Sequence, residues 1–382
     1  MISSGFLFTA LQQQGITFYT GVPDSLLKDF CAYITEHVSP EQNIIAANEG
    51  NAVALAAGYY LATGKTSLIY LQNSGLGNGI NPLTSLTDPE VYAIPLLLLI
   101  GWRGEPGVND EPQHIKMGRV TPKILESLEI PFRILPATPV EAENCLQEAV
   151  DSIKRRSAPY ALLVKKGTFE PYPLPDQQYL RPSPPKTLFP LNREQVLRVL
   201  VPMLGPDDIV VSTTGKTSRE LFELRRELGQ GHEKDFLTVG CMGHASSIAL
   251  GIALQKPERT VYCLDGDGAV IMHLGALATI GKAQPARLKH IIINNFAHDS
   301  VGGQPTAAAV MNIPAIALAS GYKTALAARS EAEVMEAMEK IKKTTGPALL
   351  EIQCNKGARE NLGRPTRTPR ENKQDFMKGL RT

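Results

Sequence analysis

Apolar runs of strand length recur along the chain, separated by segments long enough for helices. SLIYLQ, PLLLLIG and YALLVK fall in the first half, and DIVVS, TVYCL, KHIIIN and ALLEIQ in the second. These runs are nearly unbroken instead of alternating with polar residues, which is the pattern of parallel strands covered by helices on both faces. The expected fold class is therefore α/β, with two doubly wound parallel-sheet domains. Between the halves stands EPYPLPDQQYLRPSPPKTLFPL, with prolines at 171, 173, 175, 182, 184, 185 and 190. Such a stretch continues neither a helix nor a central strand, so a stiff linker is expected. The chain then divides into domains at 1–168 and 191–357, a linker at 169–190 and a tail at 358–382. Both halves close alike, with a charged helix before SAPYALLVKKG (157–167) and another before TGPALLEIQCNKG (345–357). Two related domains would produce this echo, and so would the common ending of unrelated α/β domains. The arginine-rich tail either stays solvated or folds back with Phe376 and Met377 as anchors.

Composition narrows the picture. A chain of 382 residues exceeds what one core usually serves. Its 39 Lys and Arg balance 38 Asp and Glu, so bulk charge points to no nucleic-acid partner. No run of about 18 apolar residues occurs, and MISSGFLFTALQQQG lacks a basic segment ahead of an apolar one. A cytoplasmic protein is expected. Cys31, Cys145, Cys241, Cys263 and Cys354 are odd in number and scattered, with no CxxC pair, so small core residues are expected instead of a disulfide framework or zinc site.

The candidate chemistry lies at strand ends. LDGDGAV (264–270) sets Asp267 between Gly266 and Gly268 directly after the run TVYCL, and HIIINN ends in Asn294 and Asn295. In open parallel sheets ligands collect at the carboxyl ends of strands. Glycines permit close backbone approach, and a helix starting near Ala269 would offer N–H groups to a phosphate. Asp267 and Asn295 supply hard oxygen ligands suited to Mg²⁺, with the Ala297 carbonyl as a third. GDG alone is more often a tight turn; the paired asparagines at the next strand end make it specific. Two GKTS segments, at 64–67 and 215–218, lack the P-loop glycine, since Tyr59 and Val210 stand there. GLGNG (75–79) lacks the third glycine of a dinucleotide fingerprint, which removes an NAD-dependent enzyme.

GDG followed by NN resembles the metal-diphosphate motif of thiamine-diphosphate enzymes. AANEGNAVALAAGYYLATG (46–64) is similar to that family's glutamate segment, and GCMGHASS (240–247) to the stretch before the metal motif. GVPDSLLKDF, QNSGLGNGINPLTSL, DEPQH, STTGKTSREL and AHDSVGGQPT together resemble the decarboxylases of phosphonopyruvate and sulfopyruvate within that family. Phe296 departs from the small residue usual after NN.

The resemblance implies a pyrimidine-binding domain and a diphosphate-binding domain with no middle domain. It implies thiamine diphosphate and Mg²⁺ as cofactors and a 2-keto acid bearing a phosphonate, or a sulfonate, as substrate. Glu49 is implied as the acid facing the pyrimidine ring, although a first-turn helix position favours an acid anyway. Met242 is implied as the wedge that bends the cofactor, with core packing as the alternative, and the Gly240 carbonyl as acceptor for its amino group. Thr214, Gly215 and Lys216 are expected at the diphosphate beside Gly268 and Ala269. Asp24 and His114 are expected near the reacting carbon, with Arg103, Lys116, Arg119 and His298 as substrate cations. The coenzyme lies between subunits in this family, which implies a homodimer or larger assembly. A subunit that binds the cofactor without turnover is the competing class.

Overall fold

The structure, a computed structural model, describes residues 1–176, 180, 182, 183, 185 and 188–381. Within the expected linker, residues 177–179, 181, 184, 186 and 187 lie outside the described residues. The chain divides into two compact units, one of residues 1–183 with 301–304, the other of residues 184–300 with 305–382.

The first unit is built on a six-stranded parallel sheet of β1 (Tyr19–Gly21), β2 (Asn43–Ile45), β3 (Ser67–Gln72), β4 (Leu96–Gly101), β5 (Phe132–Ile134) and β6 (Tyr160–Val164), in the order β2-β1-β3-β4-β6-β5. The second holds β7 (Ile209–Ser212), β8 (Asp235–Leu237), β9 (Val261–Gly266), β10 (Leu288–Asn294), β11 (Thr324–Ala328) and β12 (Ala348–Gln353), again parallel, in the order β11-β12-β10-β9-β7-β8. All seven expected strands are present. Alternate residues of each feed opposite cores. Leu97 and Leu99 pack with Tyr160 and Leu162 on one face of the first sheet, while Leu96, Leu98 and Ile100 pack with Ala161 and Leu163 on the other. In the second sheet Ile291 and Ile293 join Leu350 and Ile352, and Ile292 faces Leu349 across the sheet's other side.

Several helices begin at the residues that matter for chemistry. Helix Glu49–Thr63 starts behind Asn48, whose side chain accepts from Asn51 N, and stops at Gly64 in the left-handed region (φ 69°). Lys216 is the first residue of helix Lys216–Glu227. The helix after GDG begins at Asp267, ahead of the expected Ala269, so Asp267 and Gly268 belong to its first turn.

The tail folds back onto its own unit as helix Pro369–Gly379, capped by Thr368 and Glu371. Phe376 is buried with its ring 5.4 Å from that of Phe236, and Asn372 bonds both Leu237 N (3.1 Å) and Asp235 O (2.8 Å) of β8. Met377 stays exposed, so one of the two expected anchors serves. Cys31, Cys145, Cys263 and Cys354 are buried as expected, whereas Cys241 is exposed. Among the described residues no helix is long and apolar enough to cross a membrane.

Candidate active site

In the first unit, Glu49 is 6 % exposed and accepts a hydrogen bond at Oε2 from Asn78 Nδ2 (2.7 Å). A Cβ on Gly75 would stand 2.0 Å from Glu49 Oε1, so only glycine leaves this carboxyl its place. Burial raises the Glu49 pKa, making it a group that takes and returns a proton readily. A favourable helix position alone would have left the side chain at the surface.

Asp24, beyond the end of β1, is fully buried. It accepts from Leu26 N (2.8 Å) and from Gln72 Nε2 (2.7 Å), the latter at the end of β3. Burial again raises its pKa. Gly101, closing β4, comes so near that a Cβ there would lie 2.0 Å from Asp24 Oδ2.

Arg103 is not the free cation expected from sequence. Its Nε and Nη2 engage both oxygens of Asp110 (2.8 and 2.5 Å), and Nη1 donates to Ser25 Oγ (2.7 Å). Burial would raise the Asp110 carboxyl, but Arg103 and the N–H groups of Glu111 and Gly104 hold it well below the usual carboxylate range. His114 is buried, and its Nδ1 has no hydrogen-bond partner among the described residues. Burial, then the charge of Arg103, lowers its pKa to about 4, so the ring is neutral near pH 7. Lys116 and Arg119 sit on the exposed face of the same helix, apart from His114. The structure thus gathers Asp24, Arg103 and His114 near the carboxyl ends of β1, β3 and β4 and leaves the two other cations outside.

In the second unit, β9 and β10 are paired in register, with Gly266 opposite Ile293. Their ends therefore emerge side by side. Asp267 is 3 % exposed and accepts from Thr306 Oγ1 and from the N–H groups of Gly268 and Asn295. Burial outweighs these donors and pushes its pKa up to about 7. Asn294 is structural: fully buried, it donates to Glu351 Oε1 (2.6 Å) and accepts from Phe296 N (3.0 Å). Asn295 is half-buried, and its Oδ1 accepts from Ala297 N at 3.2 Å. Between them Phe296 takes a left-handed backbone (φ 59°), buries its ring and stacks on Phe189 with centroids 5.8 Å apart. His298 packs against Gly268, and burial lowers its pKa to about 4, so it too is neutral near pH 7.

The remaining segments converge on the same end of the second sheet. Thr214 Oγ1 accepts from Gly240 N (3.0 Å), tying the loop after β7 to residues 240–243. Gly240, Cys241 and Gly243 in that loop have positive φ. A Cβ on Gly243 would approach Ala269 O to 2.9 Å, which is how the loop reaches the GDG helix. Met242 is half-buried there, not a core residue. Lys216 Nζ donates to Asp299 O at 3.1 Å.

Sequence reasoning missed Asn78, Gln72, Asp110, Thr306 and Glu351. The first four lie inside the motifs that carry the family resemblance, which was the available signal.

Residues 3–121 match the family described as thiamine pyrophosphate enzyme, N-terminal TPP binding domain, and residues 214–352 match its C-terminal TPP binding domain. The chain is 36% identical over 387 residues to the phosphonopyruvate decarboxylase of Streptomyces viridochromogenes, covering 97% of this chain and 93% of that one. It belongs to the phosphonopyruvate decarboxylase family of thiamine pyrophosphate enzymes. The phosphonopyruvate decarboxylase of Streptomyces hygroscopicus is also 36% identical, covering 97% of this chain and 92% of its own length. The sulfopyruvate decarboxylase of Methanosarcina acetivorans is 32% identical over 348 residues, covering 87% of this chain and 86% of that one. Family membership accords with the two parallel-sheet domains and with thiamine diphosphate as cofactor. The residues present fit it: a buried acid with a raised pKa in one unit, and in the other a buried carboxylate beside an amide oxygen, a donor set suited to Mg²⁺ and a diphosphate.

His114 generates a test. The unfolded chain binds its proton near pH 6.5 and the folded chain only near pH 4, so between these values the unfolded state holds more protons. The stability linked to this ring is complete above pH 6.5 and declines as pH falls toward 4, by roughly 3 kcal/mol in all. Urea unfolding followed by the fluorescence of Trp102, the sole tryptophan, should show this slope in the native protein and a flatter one in His114→Asn.

Proposed function

We propose that the chain catalyses the thiamine-diphosphate and Mg²⁺ dependent, non-oxidative decarboxylation of 3-phosphonopyruvate to phosphonoacetaldehyde and CO2, as a cytoplasmic enzyme. The observation that carries the substrate is the similarity to phosphonopyruvate decarboxylases along nearly the whole chain, longer and closer than that to a sulfopyruvate decarboxylase. Retention of a buried acid at Glu49 in one unit together with the motif of Asp267 and Asn295 in the other speaks for turnover over binding alone.

When bound, thiamine diphosphate supplies a thiazolium carbon that adds to the keto carbon and holds the electrons left by departing CO2. Glu49, its pKa raised by burial, would exchange a proton with the pyrimidine ring through Oε1, the oxygen that Asn78 leaves free. The Gly240 carbonyl would accept from the ring's amino group, and the half-buried Met242 would pack against the cofactor. Asp267, Asn295 and the Ala297 carbonyl hold Mg²⁺, and Thr214, Gly215, Lys216, Gly266, Gly268 and Ala269 hold the diphosphate. Asp24, its pKa raised by burial, stands in a dry setting, while neutral His114 accepts or returns a proton at Nδ1. Of the expected substrate cations, Arg103 alone is carried forward, because its charge acts on Asp24 and His114. We also infer an assembly of at least two copies, with the coenzyme held between subunits.

CO2 release from phosphonopyruvate should require both thiamine diphosphate and Mg²⁺ and fall at least ~100-fold in Glu49→Gln. A preference for sulfopyruvate in the same assay would replace the substrate, and undiminished turnover in Glu49→Gln would remove the role of Glu49. Gly75→Ala should act in the same direction, since its methyl group displaces the Glu49 carboxyl; a loss of about 10²-fold with an unchanged circular dichroism spectrum is expected. Sedimentation at working concentration should show a dimer or larger species, and a fully active monomer would overturn the assembly.

A further inference from the structure

Arg193 opens helix Arg193–Leu200, and its side chain is only 5 % exposed. Its guanidinium takes both oxygens of Glu220 at 2.7 Å and, through Nη1, Asp299 Oδ2 at 2.8 Å. One guanidinium between two carboxylates, Glu220 buried and Asp299 partly so, leaves a net negative charge, and a poorly solvated charge without compensation is costly. Lys216 supplies the compensation. Its Nζ lies 3.1 Å from Asp299 O and 3.5 Å from Asp299 Oδ2.

The four charged groups form a chain of alternating sign, Glu220, Arg193, Asp299 and Lys216, that runs from the buried end outward. The Lys216 side chain is 25 % exposed, the most accessible member, and it stands at the start of helix Lys216–Glu227. A lysine ammonium on a four-carbon stem is free to wander unless something fixes it. Here both a carboxylate and a main-chain oxygen of one residue do so. Asp299 is in turn held from behind by Arg193, and Gly357 N approaches Asp299 Oδ2 at 3.4 Å.

We propose that Asp299 is a positioning residue for cofactor binding: it holds the Lys216 ammonium in place for the coenzyme's diphosphate, with Arg193 and Glu220 holding Asp299. This rests on the reading that Lys216 meets the diphosphate. Asp299 itself touches neither substrate nor cofactor.

A double-mutant cycle tests it, with thiamine diphosphate affinity measured by titration calorimetry in Mg²⁺ for the native chain, Asp299→Asn, Lys216→Met and the double variant. Asp299→Asn keeps an oxygen acceptor for Arg193 and loses the charge. Lys216→Met is expected to weaken binding more than tenfold, Asp299→Asn about fivefold to tenfold, and the second change to add little once Lys216 is gone. If Asp299→Asn weakens binding equally with and without Lys216, Asp299 acts by another route and the proposal is overturned. Unchanged affinity in Asp299→Asn overturns it too. Unchanged affinity in Lys216→Met instead removes the diphosphate reading of Lys216, and the role of Asp299 with it. Asp299→Glu, which keeps the charge but displaces it, provides the same cycle should Asp299→Asn not fold.

Discussion

The register of β9 against β10 fixes most of what the second unit can do. Because Gly266 stands opposite Ile293, the residues that follow each strand leave the sheet as neighbours, and Asp267 meets the N–H of Asn295. Interior strands of a parallel sheet are buried on both faces, so their apolar side chains allow no slip by one residue without turning every contact over. The position of the carboxylate is thereby set by Ile291, Ile292 and Ile293 as firmly as by the glycines around it. Thr306, 39 residues away, and the first turn of helix Asp267–Met272 then supply donors that burial would otherwise deny it.

Charge compensation sorts the buried acids into those that are spent and those that are available. Asp110 and Asp299 face arginines and are held ionised, serving as fixed supports. No cation acts on Glu49 or Asp267, Arg103 only partly offsets the burial of Asp24, and burial raises all three. Such groups are poised to gain from a proton or a metal ion, the property expected of acids that do chemistry. The arginines tell the same story from the other side, since Arg103 and Arg193 are each occupied by carboxylates of the protein itself.

The sheets were legible where burial is complete. The seven strands foreseen from unbroken apolar runs all lie in sheet interiors, whereas β2, β5, β8 and β11 are edge strands and β1 is the three-residue YTG. An edge strand such as FRI or DFL has too short and too mixed a pattern to declare itself. Glu49, Asp267 and Asn295 were legible because glycines and asparagines at a strand or helix boundary are conspicuous, and because the family resemblance rests on them. Their partners were not. Asn78 lies 29 residues from Glu49 and Gln72 lies 48 from Asp24, distances that only the fold closes. The partner of Arg103 was hidden for the same reason: no local pattern announces that Asp110, on a loop seven residues later, pairs with it.

Phe296 adopts a left-handed backbone shape that a side chain makes unfavourable by about 1–2 kcal/mol. The ring compensates by slotting against Phe189, so an aromatic contact sets the course of the main chain between Asn295 and Ala297. The carbonyl proposed above for Mg²⁺ is thus aimed jointly by an aromatic stack and by the bonds from Phe296 N to Asn294 Oδ1 and from Ala297 N to Asn295 Oδ1. Warming or detergent that prises the two rings apart would let the strained link relax and swing that oxygen aside while both sheets still stand.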